Sequence, residues 1–153
     1  MLTREQTKNM ILWIRVLQTR KFGRHRYKRT DGYLYNGKDK AGVRLMCCLG
    51  VACDILLPNA TWDKAGTLIQ DGEDPVTATT APRSVQKLLG LESEWGFPCP
   101  KYAGQALRQL STINDYSELD DYADVLPFII ARLDRLGHKS LRREINKVVR
   151  GKS

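Results

Sequence analysis

From Cys47 to Leu57 nearly every residue is apolar, Asp54 carries the only charge, and Pro58 ends the run. Such a stretch is too short for a bilayer, which takes ~20 apolar residues, and too uniform for a helix with one wet face. It has to be enclosed by protein. The spacing and the terminating proline predict a buried helix whose first turn follows directly on a strand ending at Met46. A chain of 153 residues is long enough for this. One domain of that size buries ~68% of its unfolded surface, so no staple is needed to surround the helix.

The flanking segments supply the enclosure. Thr3 and Gln6 have capping-box spacing, and Met10, Ile14 and Leu17 recur at helical intervals, with Ile11 and Trp13 widening the apolar face. The opening helix is therefore predicted to reach Thr19 and to lie across a sheet. Arg24 to Arg29, Tyr33 to Tyr35 and Val43 to Met46, punctuated by Asp31-Gly32 and Asn36-Gly37, predict a short antiparallel meander. Thr61 to Lys64 and Thr67 to Gln70 predict a second hairpin around Ala65-Gly66, and Asp71 to Pro75 a loop. Pro82 opens a helix with Val85, Leu88 and Leu89 that Gly90 stops; Trp95 to Pro100 reads as a rigid loop.

The last third is helical by spacing. Ala103, Ala106, Leu107, Leu110 and Ile113 share a face that Asn114-Asp115 ends, and Ser117 with Asp120 marks the next helix start. Pro127 kinks that helix or begins another, closed by Gly137. A final helix from Ser140 to Arg150 turns Leu141, Ile145, Val148 and Val149 inward and Arg142, Arg143, Lys147 and Arg150 outward. With neither repeat nor linker, the expectation is one α+β domain over residues 1–153, a small antiparallel sheet or meander packed by about five or six helices.

The net charge of +8 is unevenly spread. Met1 to Met46 holds twelve Lys or Arg against three acids, Cys47 to Gly137 seven against thirteen, and His138 to Ser153 six against one. Both the N-terminal third and the C-terminal helix are basic. In the densest stretch Arg20, Lys21, Arg24, Arg26, Lys28 and Arg29 alternate with Phe22 and Tyr27, a composition that suits phosphate contact beside base stacking. Together with Arg142, Arg143 and Lys147, and with Tyr27 as the stacking ring, these are the candidate nucleic-acid or phosphate contacts. The competing reading is a solvated basic surface, or a partner for the acidic middle.

Catalytic signals are sparser. Cys47 and Cys48 fall where a strand meets a helix N-terminus, where backbone N–H groups favour a thiolate, and a nucleophile there could draw on His25, His138, Asp54, Asn114 or Asp115. Their apolar neighbours favour core packing instead. No cysteine or histidine spacing fits a metal, so no metal and no cofactor are expected, and the Walker, dinucleotide and nucleophile-elbow glycine patterns are missing. Asp54, Asn114 and Asp115 form a candidate polar pocket: a buried acid must cap backbone, pair with a cation such as Arg44, or face a ligand. If the domain has one core, Asp54 and the Asn-Asp pair are expected to converge.

The run Leu45-Met-Cys-Cys-Leu-Gly-Val-Ala-Cys-Asp-Ile-Leu56 resembles a block of a family of small bacteriophage and prophage proteins. Leu12-Trp-Ile-Arg-Val-Leu17, Pro82 to Leu91 and Leu110-Ser-Thr-Ile-Asn-Asp115 with Leu119 to Leu126 resemble its other blocks, covering about half the chain in order and spacing. Arg24 to Arg29, Pro127 and the basic last helix depart from that pattern. The resemblance implies a phage origin and a shared fold, and brings no reaction with it.

The sequence thus favours a binding protein over an enzyme: a phage-type accessory protein acting on a host macromolecule, with nucleic acid or a nucleotide as first candidate. A cysteine enzyme using Cys47 or Cys48 is the alternative, and a host-protein inhibitor working through the acidic middle is another. Met1 to Glu5 shows no secretory pattern and no apolar run spans a membrane, so the host cytoplasm is the expected location, without membrane attachment.

Overall fold

In the computed structural model the chain is described over residues 1–18, 27–69, 79–99 and 108–151. Thr3 caps the first helix, α1 (Arg4–Leu17), as a reciprocal box: its hydroxyl accepts from the Gln6 N–H at 3.1 Å, and Gln6 Oε1 accepts from the Thr3 N–H at 2.9 Å. Met10, Trp13 and Ile14 are fully enclosed.

Three strands follow: β1 (Tyr27–Arg29), β2 (Tyr35–Lys38) and β3 (Arg44–Met46). Their order is β1-β3-β2, with β1 parallel and β2 antiparallel to the central β3, so the expected antiparallel meander is corrected to a mixed sheet. The loop after β1 explains the change. Thr30 and Gly32 are tied to Asn114 and Asp115 (Asn114 Nδ2 to the Thr30 carbonyl, 2.9 Å; Gly32 N–H to Asp115 Oδ1, 2.8 Å), so Asp31-Gly32 serves as a bend and does not close a hairpin. The turn expected at Asn36-Gly37 lies farther on. Asp39 Oδ1 accepts from the Ala41 and Val43 N–H groups, and Gly42 supplies the positive φ of +81°.

The apolar run forms α2 (Cys48–Leu56), with Cys48 to Cys53 buried. A Cβ on Gly50 would sit 1.8 Å from the Leu34 carbonyl oxygen, so only glycine lets α2 approach this closely. The second hairpin is β4 (Thr61–Trp62) with β5 (Leu68–Ile69). Next comes α3 (Arg83–Leu89), opened by Pro82 and closed by Gly90 at φ +65°. The segment read as a rigid loop contains β6 (Pro98–Cys99), which pairs with β7 (Arg108–Gln109).

The helix expected from Ala103 is corrected as well: residues 108–109 are strand, and α4 (Leu110–Tyr116) starts only at Leu110, while Ala103, Ala106 and Leu107 lie outside the described residues. Ser117 begins no helix either, because its hydroxyl donates to Asp124 Oδ2 at 2.7 Å and organises a loop. Helix α5 (Leu126–Leu136) starts with Pro127 in its first turn, where a missing N–H costs nothing. A 3₁₀ turn at Lys139–Leu141 leads into α6 (Arg142–Val149).

The outcome is an α+β fold. Helix α1 is its hub, packing against α2, α3, α5 and α6, and so lies among helices where a sheet was expected. No helix among the described residues is long and apolar enough to cross a membrane.

Candidate functional site

The cysteines are the first candidates. Cys47 is the N-cap of α2 and its Sγ accepts from the Gly50 N–H at 3.3 Å, the arrangement that lowers a thiol pKa. Burial outweighs it: the Cys47 thiol is pushed up to about 12, and burial drives Cys48 and Cys53 upward too. At neutral pH these are protonated core groups, and all four cysteines are free and buried. His138 caps the 3₁₀ turn through Nδ1 and the Ser140 N–H, and His25 lies outside the described residues. No three His, Cys, Asp or Glu side chains gather as metal ligands among the described residues.

Asp54 is occupied on both oxygens. Oδ1 accepts from Arg44 Nη1 at 2.6 Å and from the Trp62 indole at 3.3 Å, and Oδ2 accepts from the Tyr27 hydroxyl at 2.6 Å. It fastens β1, β3 and β4 to α2. Asn114 works at the other end of that helix: fully buried, it accepts from the Cys48 N–H at 3.1 Å, while Asp115 holds the Gly32 N–H. Along the axis Asp54 stands six residues from Cys48, or ~9 Å at 1.5 Å per residue. The expected convergence is therefore corrected: the two polar sites share α2 but no hydrogen-bond partner among the described residues.

The basic residues divide sharply. Arg20, Lys21, Arg24 and Arg26 lie outside the described residues. Tyr27 is buried, with its hydroxyl committed to Asp54, so its ring is no open stacking surface. Lys28 pairs with Asp39 at 2.7 Å, and that hydrogen bond holds the Asp39 carboxyl below its ordinary value. Arg29, with a side chain only 8% exposed, donates to the Asn114 carbonyl at 2.9 Å, to the Leu119 carbonyl and to Asp31. Arg142 is paired with Asp134.

Helix α6 differs. Arg143, Lys147 and Arg150 are exposed and, with Asn146, line one shallow cleft of about 240 Å³. None of these three cations has a hydrogen bond or ion pair to another described residue. Spacings of four and three put like charges on one stripe, which is mildly unfavourable in an isolated helix. The helix dipole accommodates Lys147 and Arg150 near the C-terminus, yet opposes Arg143 in the first turn. An external anion would relieve that stripe. Sequence patterning turned Arg143, Lys147 and Arg150 outward together but offered only the first two as contacts, and it did not bring in Asn146, which helical periodicity places beside them.

The acidic middle is partly visible in the loop after α4, where Glu118 and Asp120 are exposed beside Tyr116 (70% exposed) and Leu119. Comparison with protein-family models, curated proteins and solved structures finds no match to the chain.

Proposed function

We propose that the protein is a small phage-type accessory protein that works in the host cytoplasm by binding a host macromolecule, with nucleic acid as the partner and α6 as the contact surface. The observation that carries this reading is the contrast among its cations: Lys28, Arg29 and Arg142 are engaged with internal acids and carbonyls, whereas Arg143, Lys147 and Arg150 line one cleft with no side-chain partner among the described residues. Phosphate oxygens are the chemistry such a stripe accepts, and contacts of this kind give affinity without sequence readout. The phage resemblance supports the origin. Three of its four blocks meet at one point, since both Trp13 Nε1 (to the Cys48 carbonyl, 2.9 Å) and Asn114 Oδ1 (from the Cys48 N–H) bind the first residue of α2.

The test compares duplex DNA binding, by fluorescence anisotropy, of the wild type and of a variant carrying Arg143→Glu, Lys147→Glu and Arg150→Glu. These are exposed positions, so folding is preserved, and binding should fall at least tenfold, with each lost phosphate contact contributing. Unchanged binding by the variant would remove α6 from the interface. A second reading, docking of a host protein, is supported by Tyr116 and Leu119 standing exposed among acids, and predicts capture that survives nuclease.

A further inference from the structure

We infer that the cleft between β2 and the β4–β5 hairpin is a binding site for a single nucleotide, with the base on the Tyr35–Trp62 pair and the phosphate at Lys64. The cleft encloses about 370 Å³. That falls within the ~300–1,000 Å³ of small-molecule sites. Its floor is aromatic: the half-buried Tyr35 and Trp62 rings lie with centroids 5.4 Å apart and planes tilted by 37°.

The platform is held in place from behind. The Trp62 indole N–H donates to Asp54 Oδ1, and Asp54 is itself fixed by Arg44 and Tyr27, so the ring cannot swing without breaking a part-buried network. The hairpin is drawn equally close. Gly66, at φ +81°, lies where a Cβ would come within 2.3 Å of the Tyr35 carbonyl oxygen, so the turn bearing Lys64 can press against β2 only because residue 66 is glycine. An orienting acid behind a tryptophan and a glycine contact beside it fix the cleft before any ligand arrives, which lowers the ordering cost of binding.

Charge selects the ligand class. The Asp63 carboxylate lines the cleft, but its Oδ1 is committed to the turn, accepting from the Ala65 and Thr67 N–H groups at 2.9 and 2.8 Å. Lys64 is exposed and makes no ion pair among the described residues. A flat ring system that stacks, joined to an anion that meets an ammonium, satisfies both features. A neutral sugar would stack as well, but it needs several converging hydrogen-bonding side chains, and it leaves Lys64 without a role. This site does not depend on the α6 surface.

The experiment titrates nucleoside 5′-monophosphates, the parent nucleosides and a neutral disaccharide into the ¹⁵N-labelled full chain while following its tryptophan indole N–H resonances. Trp62 is assigned by its disappearance in Trp62→Phe. The monophosphates should move the Trp62 resonance saturably and leave the fully buried Trp13 still. Tyr35→Ala should weaken binding by about 5- to 150-fold, the loss of one stack. Should that variant not fold, the surface change Lys64→Gln serves instead: it should weaken monophosphates and leave nucleosides unaffected. The α6 triple variant should bind monophosphates as the wild type does, so failure here and failure of the duplex test are separable. A Trp62 resonance that stays still in millimolar nucleotide, that moves only with disaccharide, or that moves no more than exposed Trp95 would overturn the assignment.

Discussion

At the residue scale, Asn114 and Asp54 show what a polar group is for when apolar surroundings enclose it. Asn114 supplies the acceptor that the first N–H of α2 lacks and donates to the Thr30 carbonyl, so Asn114→Ala leaves one buried and one part-buried group without this partner. Its cost in urea denaturation should be about 1–3 kcal/mol, with no gain on any surface to offset it. Asp54→Asn keeps the shape but gives up the charge facing Arg44, and should cost a similar ~1–3 kcal/mol. The thiols give a pH signature. Burial raises Cys47 from 9.0 to about 12, so the folded protein keeps a proton that the unfolded chain releases. The contribution of this thiol to stability is then fully present below pH 9 and is lost as pH rises toward 12, and the denaturation midpoint should decline over that window. A thiol reagent at neutral pH should leave Cys47 and Cys48 unmodified until the protein unfolds.

At the element scale, the ends of α1, α2 and α3 were marked by local chemistry, whereas the start of α4 and the order of the sheet were not. The capping box at Thr3, the proline-to-glycine frame of α3 and the Pro58 stop of α2 are local chemistry, legible without knowing what packs where. Strand order β1-β3-β2 is not local: it depends on Asn114 and Asp115, more than eighty residues away, holding the loop that would otherwise close a hairpin. The same reason hid the false helix at 108–109, where apolar spacing suits a helix but pairing with β6 prevails. Gly50 was equally silent, for nothing in the sequence says that Leu34 lies against it. Gly50→Ala forces backbone apart and should cost about 3 kcal/mol in thermal or chemical denaturation.

On the scale of the whole molecule, the scaffold and the proposed contact surface separate. The segments Leu12 to Leu17, Leu45 to Leu56, Pro82 to Leu91 and Leu110 to Asp115 gather around α1 and α2, with Trp13 and Asn114 on Cys48 and with Gln6 and Asn9 donating to the Lys87 and Leu88 carbonyls of α3. Arg143, Lys147 and Arg150, which have no ion pair among the described residues, sit together on α6, outside those segments. Residue type points first to the stretch from Arg20 to Arg29; of its cations the structure describes Lys28 and Arg29, and Arg29 has its Nε and Nη1 donors committed to a loop network in which its side chain is only 8% exposed. Binding should therefore follow the α6 cations. The decisive quantity is the salt dependence of wild-type duplex affinity. Three phosphate contacts should make log K fall linearly with log salt at a slope of about −2.7. An affinity that does not change with salt, or no binding at low salt, would contradict a nucleic-acid partner on this surface.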